Sequence, residues 1–432
     1  MDSVVKIVYY MKTISIAKVP YTAKIFYMFM MFMWVAGVSD YTSFNLGKNP
    51  ILMPVYMIIL GYYYVKYCKK SFKPLFLVIG IFLFWHIVSF LKYGGIIGFN
   101  FPPFYSILIV HVAFNIYRKD EFLLLFEKIL VFFCCISLVV WVLVNILGTP
   151  FVSLMRLISV IQPSNPTETY SFLFGICSQL EFGIRRNLGF TWEPGRFACW
   201  LLLGLYVNLI LHRFKISYKN NCSFYILFLS LISTFSTTGY ALLFLMALFY
   251  FINKKGVFSK LFIFLGVILA LPSIIGLSFM SDKISTLSDV NNDLSIIDYH
   301  IIEGNMEVIT PQRFTGILFS FQNFIHDFFC GYNQLPYSYT NACLFKNSII
   351  VAPSEGIFEM LAKYGIFVGL FLYYWLVKSS ILLGKYYLYK GKWLFLILFI
   401  LMSISYDFWE NCILMYFYFF ALYKSKDVNY VR

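Results

Sequence analysis

The residues best suited to chemistry crowd into one short stretch, Arg185 to Ala198, RRNLGFTWEPGRFA, which sets three arginines and one glutamate against the start of an apolar run. A guanidinium grips phosphate or carboxylate through paired N–H donors and stays charged when partly buried, so Arg185, Arg186 and Arg196 are suited to holding an anionic group. Glu193 is suited to moving a proton beside that group. Glu193 also has a purely structural reading. Glu193-Pro194 stands where a helix should begin, with proline fit for the first helical position and the acid near the positive helix end. Glu193 could equally pair with Arg196. Further along, Arg313 opens a run in which Phe314, Ile317, Leu318, Phe321, Phe324, Ile325 and Phe328 recur at helical spacing, and His326-Asp327 closes it. His326 is a candidate general acid or base near neutral pH. It follows Arg313 by about 3.6 turns of helix, so the two need not share a face, and tertiary packing would have to bring them together.

Composition defines the setting that must position these groups. Hydrophobic residues make up 60% of the 432, aromatics 21% and charged residues only 12%, with a mean hydropathy of +0.77; a soluble domain carries about 25% charged residues. The expectation is a single all-α integral membrane domain over residues 1–432, with no separate soluble domain. The net charge of +14 does not imply nucleic acid, because the basic residues form short clusters between apolar runs and act as topology signals. The first apolar run, from about Tyr21 to Val38, lacks a small-residue cleavage site and reads as a membrane helix, not a signal peptide.

A spanning helix needs about 20 apolar residues. By that measure spans are expected near 22–38, 51–67, 74–91, 103–117, 129–147, 196–211, 261–279 and 356–377. The runs 222–252 and 393–423 are too long for one helix and have basic residues on both sides, so each should be a hairpin of two short helices. Their tips would be Ser233 to Gly239, STFSTTG, and Tyr406 to Asn411, YDFWEN. The result is about twelve helices in the cytoplasmic membrane, with both termini cytoplasmic and two long outer loops at about 148–195 and 280–355. In this topology Lys48, Lys92, Lys283, Lys346 and Lys363 are the only outer lysines, whereas Arg156, Arg185, Arg186, Arg196 and Arg313 all lie outside. Lysine marks topology and arginine marks the outer face, which is where an active site would lie. Residues 313–328 then form an amphipathic helix on the membrane or over a cavity.

Other classes of chemistry find little support. There is no metal-ligand spacing, no Asp-x-Asp and no Gly-rich phosphate loop, so neither a metal nor another cofactor is expected. Cys330 and Cys343 share the second outer loop and would be able to form a disulfide there. His86 and His111 fall inside spans and fit helix packing better than catalysis.

Taken together, Arg186-x2-Gly189-x3-Glu193-Pro194-x2-Phe197-Ala198, the tip STFSTTGY, Arg313 ahead of Phe329-Cys330-Gly331-Tyr332-Asn333, and the run SEGIFEMLAKYGIFVG resemble the bacterial O-antigen and capsular polysaccharide polymerases, which share a superfamily with the O-antigen ligases. The resemblance covers residues 185–370; residues 1–147 match only in being helical. It implies metal-independent glycosyl transfer between oligosaccharide repeat units carried on undecaprenyl pyrophosphate at the outer leaflet of the bilayer. A chain-length regulator and a flippase would be the protein partners. By the match Arg186 and Arg313 form a pyrophosphate clamp, and either Glu193 or His326 is the base. Near Pro353-Ser354 the ligase branch usually places a histidine followed by asparagine, and this chain has neither. Two rivals remain, a ligase or other lipid-linked glycosyltransferase and a flippase or other transporter. A transporter should line its path with charge inside the spans and often shows internal repeats, whereas here the charges cluster in the outer loops.

Overall fold

The computed structural model describes residues 19–35, 52–68, 72–93, 101–158, 168–171, 173–181, 183–253, 308–309, 313–331, 350–351 and 356–423. The expected span 261–279, the segment from Ser39 to Pro50, and most of the second long loop, including Cys343, lie outside the described residues.

The chain is mostly helical. In order, the first helices are α1 (Tyr21–Val35), α2 (Leu52–Tyr67), α3 (Lys73–Tyr93), α4 (Phe101–Ile116), α5 (Lys119–Leu147) and α6 (Thr149–Arg156). Then come α7 (Pro194–Leu211), α8 (Cys222–Ser233), α9 (Thr237–Asn253), α10 (Arg313–His326), α11 (Ile357–Tyr386), α12 (Leu394–Ser403) and α13 (Cys412–Tyr418). Among the described residues four helices, α3, α5, α7 and α11, are long and apolar enough to cross a bilayer. A helix that is apolar all round has no face for solvent, and α7 is such a helix, buried at every position from Phe197 to Ile210. It packs against α5, α8 and α9 at the centre of the fold. The flanking helices turn large apolar side chains outward, among them Phe84 and Leu91 of α3, Phe132 and Val139 of α5, and Phe367 and Leu370 of α11. That surface suits lipid.

Both expected hairpins are present, and local hydroxyl and amide bonding explains where each breaks. At the end of α8, Ser233 Oγ donates to the Ser230 carbonyl at 2.8 Å and Thr234 Oγ1 to the Leu231 carbonyl at 2.7 Å, the back-bonding that competes with helix continuation. Ser236 Oγ then accepts Gly239 N–H at 3.1 Å and α9 begins. In the second hairpin, Asn411 Oδ1 accepts the N–H groups of Ile413 and Leu414, both at 3.1 Å, an amide cap that starts α13. One span begins earlier than hydropathy indicates: α5 starts at Lys119, not near residue 129, because its first turn carries Asp120 and Glu121, charges suited to a helix N-terminus but hidden from an apolar window.

The first long loop departs from the all-α expectation. It carries the short helix α6 followed by a three-stranded antiparallel sheet, β1 (Thr169–Tyr170), β2 (Gly175–Glu181) and β3 (Ile184–Asn187), with Ile176 opposite Asn187 and Leu180 opposite Arg185. β-Pairing wins here because the segment is short, has Gly175 and Gly183 at its turns, and finds backbone partners in itself. In the second loop β4 (Val308–Ile309) and β5 (Ile350–Val351) pair in parallel.

The helix expected from the spacing of phenylalanines runs from Arg313 to His326. Its polar residues Thr315, Ser320 and Asn323 are buried, as is Asp327 just beyond it, whereas Leu318, Phe321 and Ile325 face out. The inward side of this helix therefore mixes these polar groups with Phe319 and Phe324, while Gln322 and His326 face out beside the apolar residues. Its end is fixed by backbone contact with α11, which is interrupted at Gly365 (φ 72°, ψ 179°). Gly331 and Gly365 both have positive φ, and a Cβ on either would overlap the backbone of the other segment. Ile366 N–H, freed by the interruption, donates to the Phe328 carbonyl at 2.9 Å. Trp85 of α3 donates to the Cys330 carbonyl at 2.7 Å, and Lys92 of the same helix pairs with Asp327.

Candidate functional site

At one end of the bundle four short motifs meet around the start of α7. Pro194 occupies the first turn, Glu193 is the residue before it in extended conformation, and its carbonyl accepts Phe197 N–H at 3.1 Å. The Glu193 side chain makes no capping hydrogen bond, so the helix does not depend on the carboxylate for its start. Thr191 Oγ1, donating to the Glu193 carbonyl at 2.9 Å and sharing a loop with Gly189 at φ 58°, shapes the entry instead.

Both hairpin tips close on this entry. Ala198 Cβ lies 2.9 Å from where a Cβ would stand on Gly239 of the first tip, and the Tyr406 hydroxyl of the second tip fills the space beside Gly195. The tips touch each other through Thr238 Oγ1 and Ser405 Oγ at 3.2 Å. The start of α11 completes the ring: Gly356 N–H donates to the Ser403 carbonyl at 2.6 Å, and Trp409 Nε1 donates to the Gly356 carbonyl at 2.7 Å. A Cβ on Gly356 would stand 2.8 Å from Asp407 Cα, so only glycine permits this approach.

This assembly encloses charge. Arg196 lies between two aromatic rings, its guanidinium carbon 5.7 Å from the centre of Trp192 and 5.9 Å from that of Phe408, a placement that holds a cation in a low-dielectric setting. Lys363 and the Tyr364 hydroxyl both donate to Glu410 Oε1, and Ser320 Oγ of α10 donates to the buried Glu359 Oε2 at 3.3 Å. Asp407 is exposed to solvent although protein atoms surround it densely, as befits a recess and not an outer surface. That crowding pushes its carboxyl above the usual range, Glu410 adds to the rise, and Lys363 and Arg196 oppose it.

Neither models of known protein families nor curated proteins give a match to this chain.

The arrangement separates the residues expected from sequence into groups. Adjacent strand positions point to opposite faces, so the two arginines of β3 diverge. Arg185 turns back to the sheet, its Nη1 donating to the Cys177 carbonyl at 2.8 Å. Arg186 reaches the first hairpin tip, its Nε donating to the Thr234 carbonyl at 3.0 Å, and the neighbouring Asn187 donates to Ser233 Oγ at 2.9 Å. Arg186 thereby meets the first tip and Arg196 the second, through the Phe408 ring, while Glu193 stands just before α7. Arg313 is the first residue of α10. His326, the last, is exposed, whereas the side of α10 that meets Glu359 carries Ser320. His111 and His86 are packing residues, His111 fully buried with Nδ1 3.1 Å from the Tyr423 hydroxyl and His86 stacked on Phe104.

Sequence reasoning did not single out Glu359, Lys363, Asp407 and Glu410. The signal was present in YDFWEN and SEGIFEMLAKYG, two acids at the turn of an apolar hairpin and a Glu-x3-Lys spacing in an otherwise apolar helix start.

Proposed function

We propose that this protein is a polysaccharide polymerase that transfers a growing oligosaccharide from undecaprenyl pyrophosphate to the sugar of a second lipid-linked repeat unit, at the outer face of the cytoplasmic membrane and without a metal. The observation that supports this reading most is that Arg196, at the start of the central buried helix, and Arg186, in the strand before it, each meet one of the two hairpin tips that close on that start. A departing pyrophosphate develops negative charge, and fixed guanidinium groups stabilise it best where water is scarce. An acceptor hydroxyl needs a carboxylate or imidazole within reach, which Glu193 or His326 would supply. Arg313 opens the helix whose polar side covers Glu359, and its role in the clamp rests on the family resemblance.

The test is the fate of repeat units in cells carrying Arg186→Ala or Arg313→Ala. Each variant should abolish polymer while single lipid-linked repeat units still reach the outer surface. If the protein were instead a flippase, single units would stop reaching the outside. Polymer that still forms on its lipid carrier but never reaches its final acceptor would point to a ligase.

A further inference from the structure

We propose that Asp407, at the tip of the α12–α13 hairpin, accepts the proton from the attacking sugar hydroxyl in place of the Glu193 or His326 that the family resemblance offers, a role that rests on the glycosyl-transfer reading of this site. The neighbouring acids are committed elsewhere. Glu410 Oε1 takes both Lys363 and the Tyr364 hydroxyl, which neutralise it. Glu359 is buried against Ser320. Asp407 is open to solvent, and among the described residues it takes a single hydrogen bond, from Trp409 N–H to Oδ1 at 3.0 Å. That bond fixes the carboxylate in a turn of the hairpin tip, as aspartate does when it bonds its own backbone two residues on.

The surroundings supply the other half of the reaction. Arg196, clamped between Trp192 and Phe408, acts electrostatically on Asp407 from the start of α7, while Gly195 brings α7 against the Tyr406 hydroxyl and Gly356 brings α11 against the Tyr406-Asp407 backbone. A guanidinium for the leaving group and a carboxylate for the nucleophile thus share one recess. In the step proposed, the acceptor oxygen bonds to the anomeric carbon as its proton passes to Asp407. The bond from that carbon to the pyrophosphate oxygen breaks, its electron pair leaves with the pyrophosphate, and water afterwards takes the proton from Asp407. The crowding of protein atoms around Asp407, with Glu410 beside it, raises its affinity for a proton, which improves a carboxylate as a base.

The experiment uses the full-length protein in liposomes with lipid-linked oligosaccharide extracted from its own cells, reading polymer length on a gel. Asp407→Asn should lower the rate about 100-fold or more, and Asp407→Glu should recover part of it with the acid limb of the pH–rate profile displaced. Loss of polymer in Arg186→Ala with full activity in Asp407→Asn overturns this role and leaves the polymerase reading standing. Polymer retained in both variants overturns the reading itself, and the role with it. If Asp407→Asn does not fold, the profile of Asp407→Glu decides: a displaced acid limb supports the role, and a rate lowered equally at every pH overturns it.

Discussion

The hydroxyl of Tyr406 stands where a side chain on Gly195 would begin, so the tip of the last hairpin rests directly on the first turn of the central helix. Gly195→Ala must push Tyr406 aside. Overpacking of this kind costs about 1–3 kcal/mol, and thermal unfolding in detergent should register it. Adding Tyr406→Phe should recover part of the loss, with a coupling of about 0.5 kcal/mol or more in the double-mutant cycle; strict additivity would contradict the contact.

Gly365 adopts φ 72°, ψ 179°, a conformation almost confined to glycine, and strain of this type costs about 1–3 kcal/mol for another residue. Gly365→Ala would add a clash with the Phe329 carbonyl. The variant should therefore be markedly less abundant in membranes and melt earlier than Gly61→Ala, where no neighbour lies within 4 Å.

Lys363 and Glu410 form a mostly buried ion pair, their side chains 13% and 25% exposed. Removing one partner strands the other charge, at a cost of up to about 3–5 kcal/mol for a buried pair. Lys363→Met and Glu410→Gln should each lower the unfolding temperature, and the double variant should be more stable than either single one. A double variant that is the least stable of the three would show that the charges are not coupled.

Arg185 and Arg186 should separate in function. The Arg185 side chain bonds a sheet carbonyl, and its loss should cost about 1 kcal/mol of stability with polymer still formed. Arg186→Ala should abolish polymer at comparable stability. Equal activity in the two variants would remove the reason for preferring Arg186.

Burial pushes the Asp327 carboxyl up to about 6 from an ordinary value of 3.8, even beside Lys92. Its folded-state value exceeds its unfolded one, so the folded protein binds the proton more tightly and gains stability as pH falls from 7 towards 4. Asp327→Asn should accordingly be relatively more stable than the parent at pH 8, the difference shrinking as pH falls from about 7 and levelling off below about pH 4. Melting curves across this range check the sign.

Periodicity and charge carry as much of this fold as local rules reach. The start of α7 at Pro194, the limits of α10 at Arg313 and His326, and the breaks of both hairpins follow from caps, spacing and basic flanks within a few residues of each position. The opposite facing of Arg185 and Arg186 does not, because the run reads as loop until β2 and β3 pair. The burial of Thr315, Ser320 and Asn323 in α10 was hidden too, since a pattern shows which residues share a face and not what lies against it. Lys363 reads as an ordinary outer lysine for the same reason: its partner Glu410 is 47 residues away, and only folding brings them together.

The hairpin tip that holds Asp407 and Glu410 also bears on biogenesis. A membrane protein is threaded into the bilayer from its N-terminus, so Arg185, Arg186, Arg196 and Arg313 are all in place before either acid leaves the ribosome. Until that hairpin inserts, Lys363 lacks Glu410, Gly195 has no covering hydroxyl and Arg196 lacks the Phe408 ring. A chain stopped after α12 would carry Arg186 and Arg196 without the two acids that this tip supplies, so the basic half of the assembly is made first and the assembly closes only when the second hairpin follows.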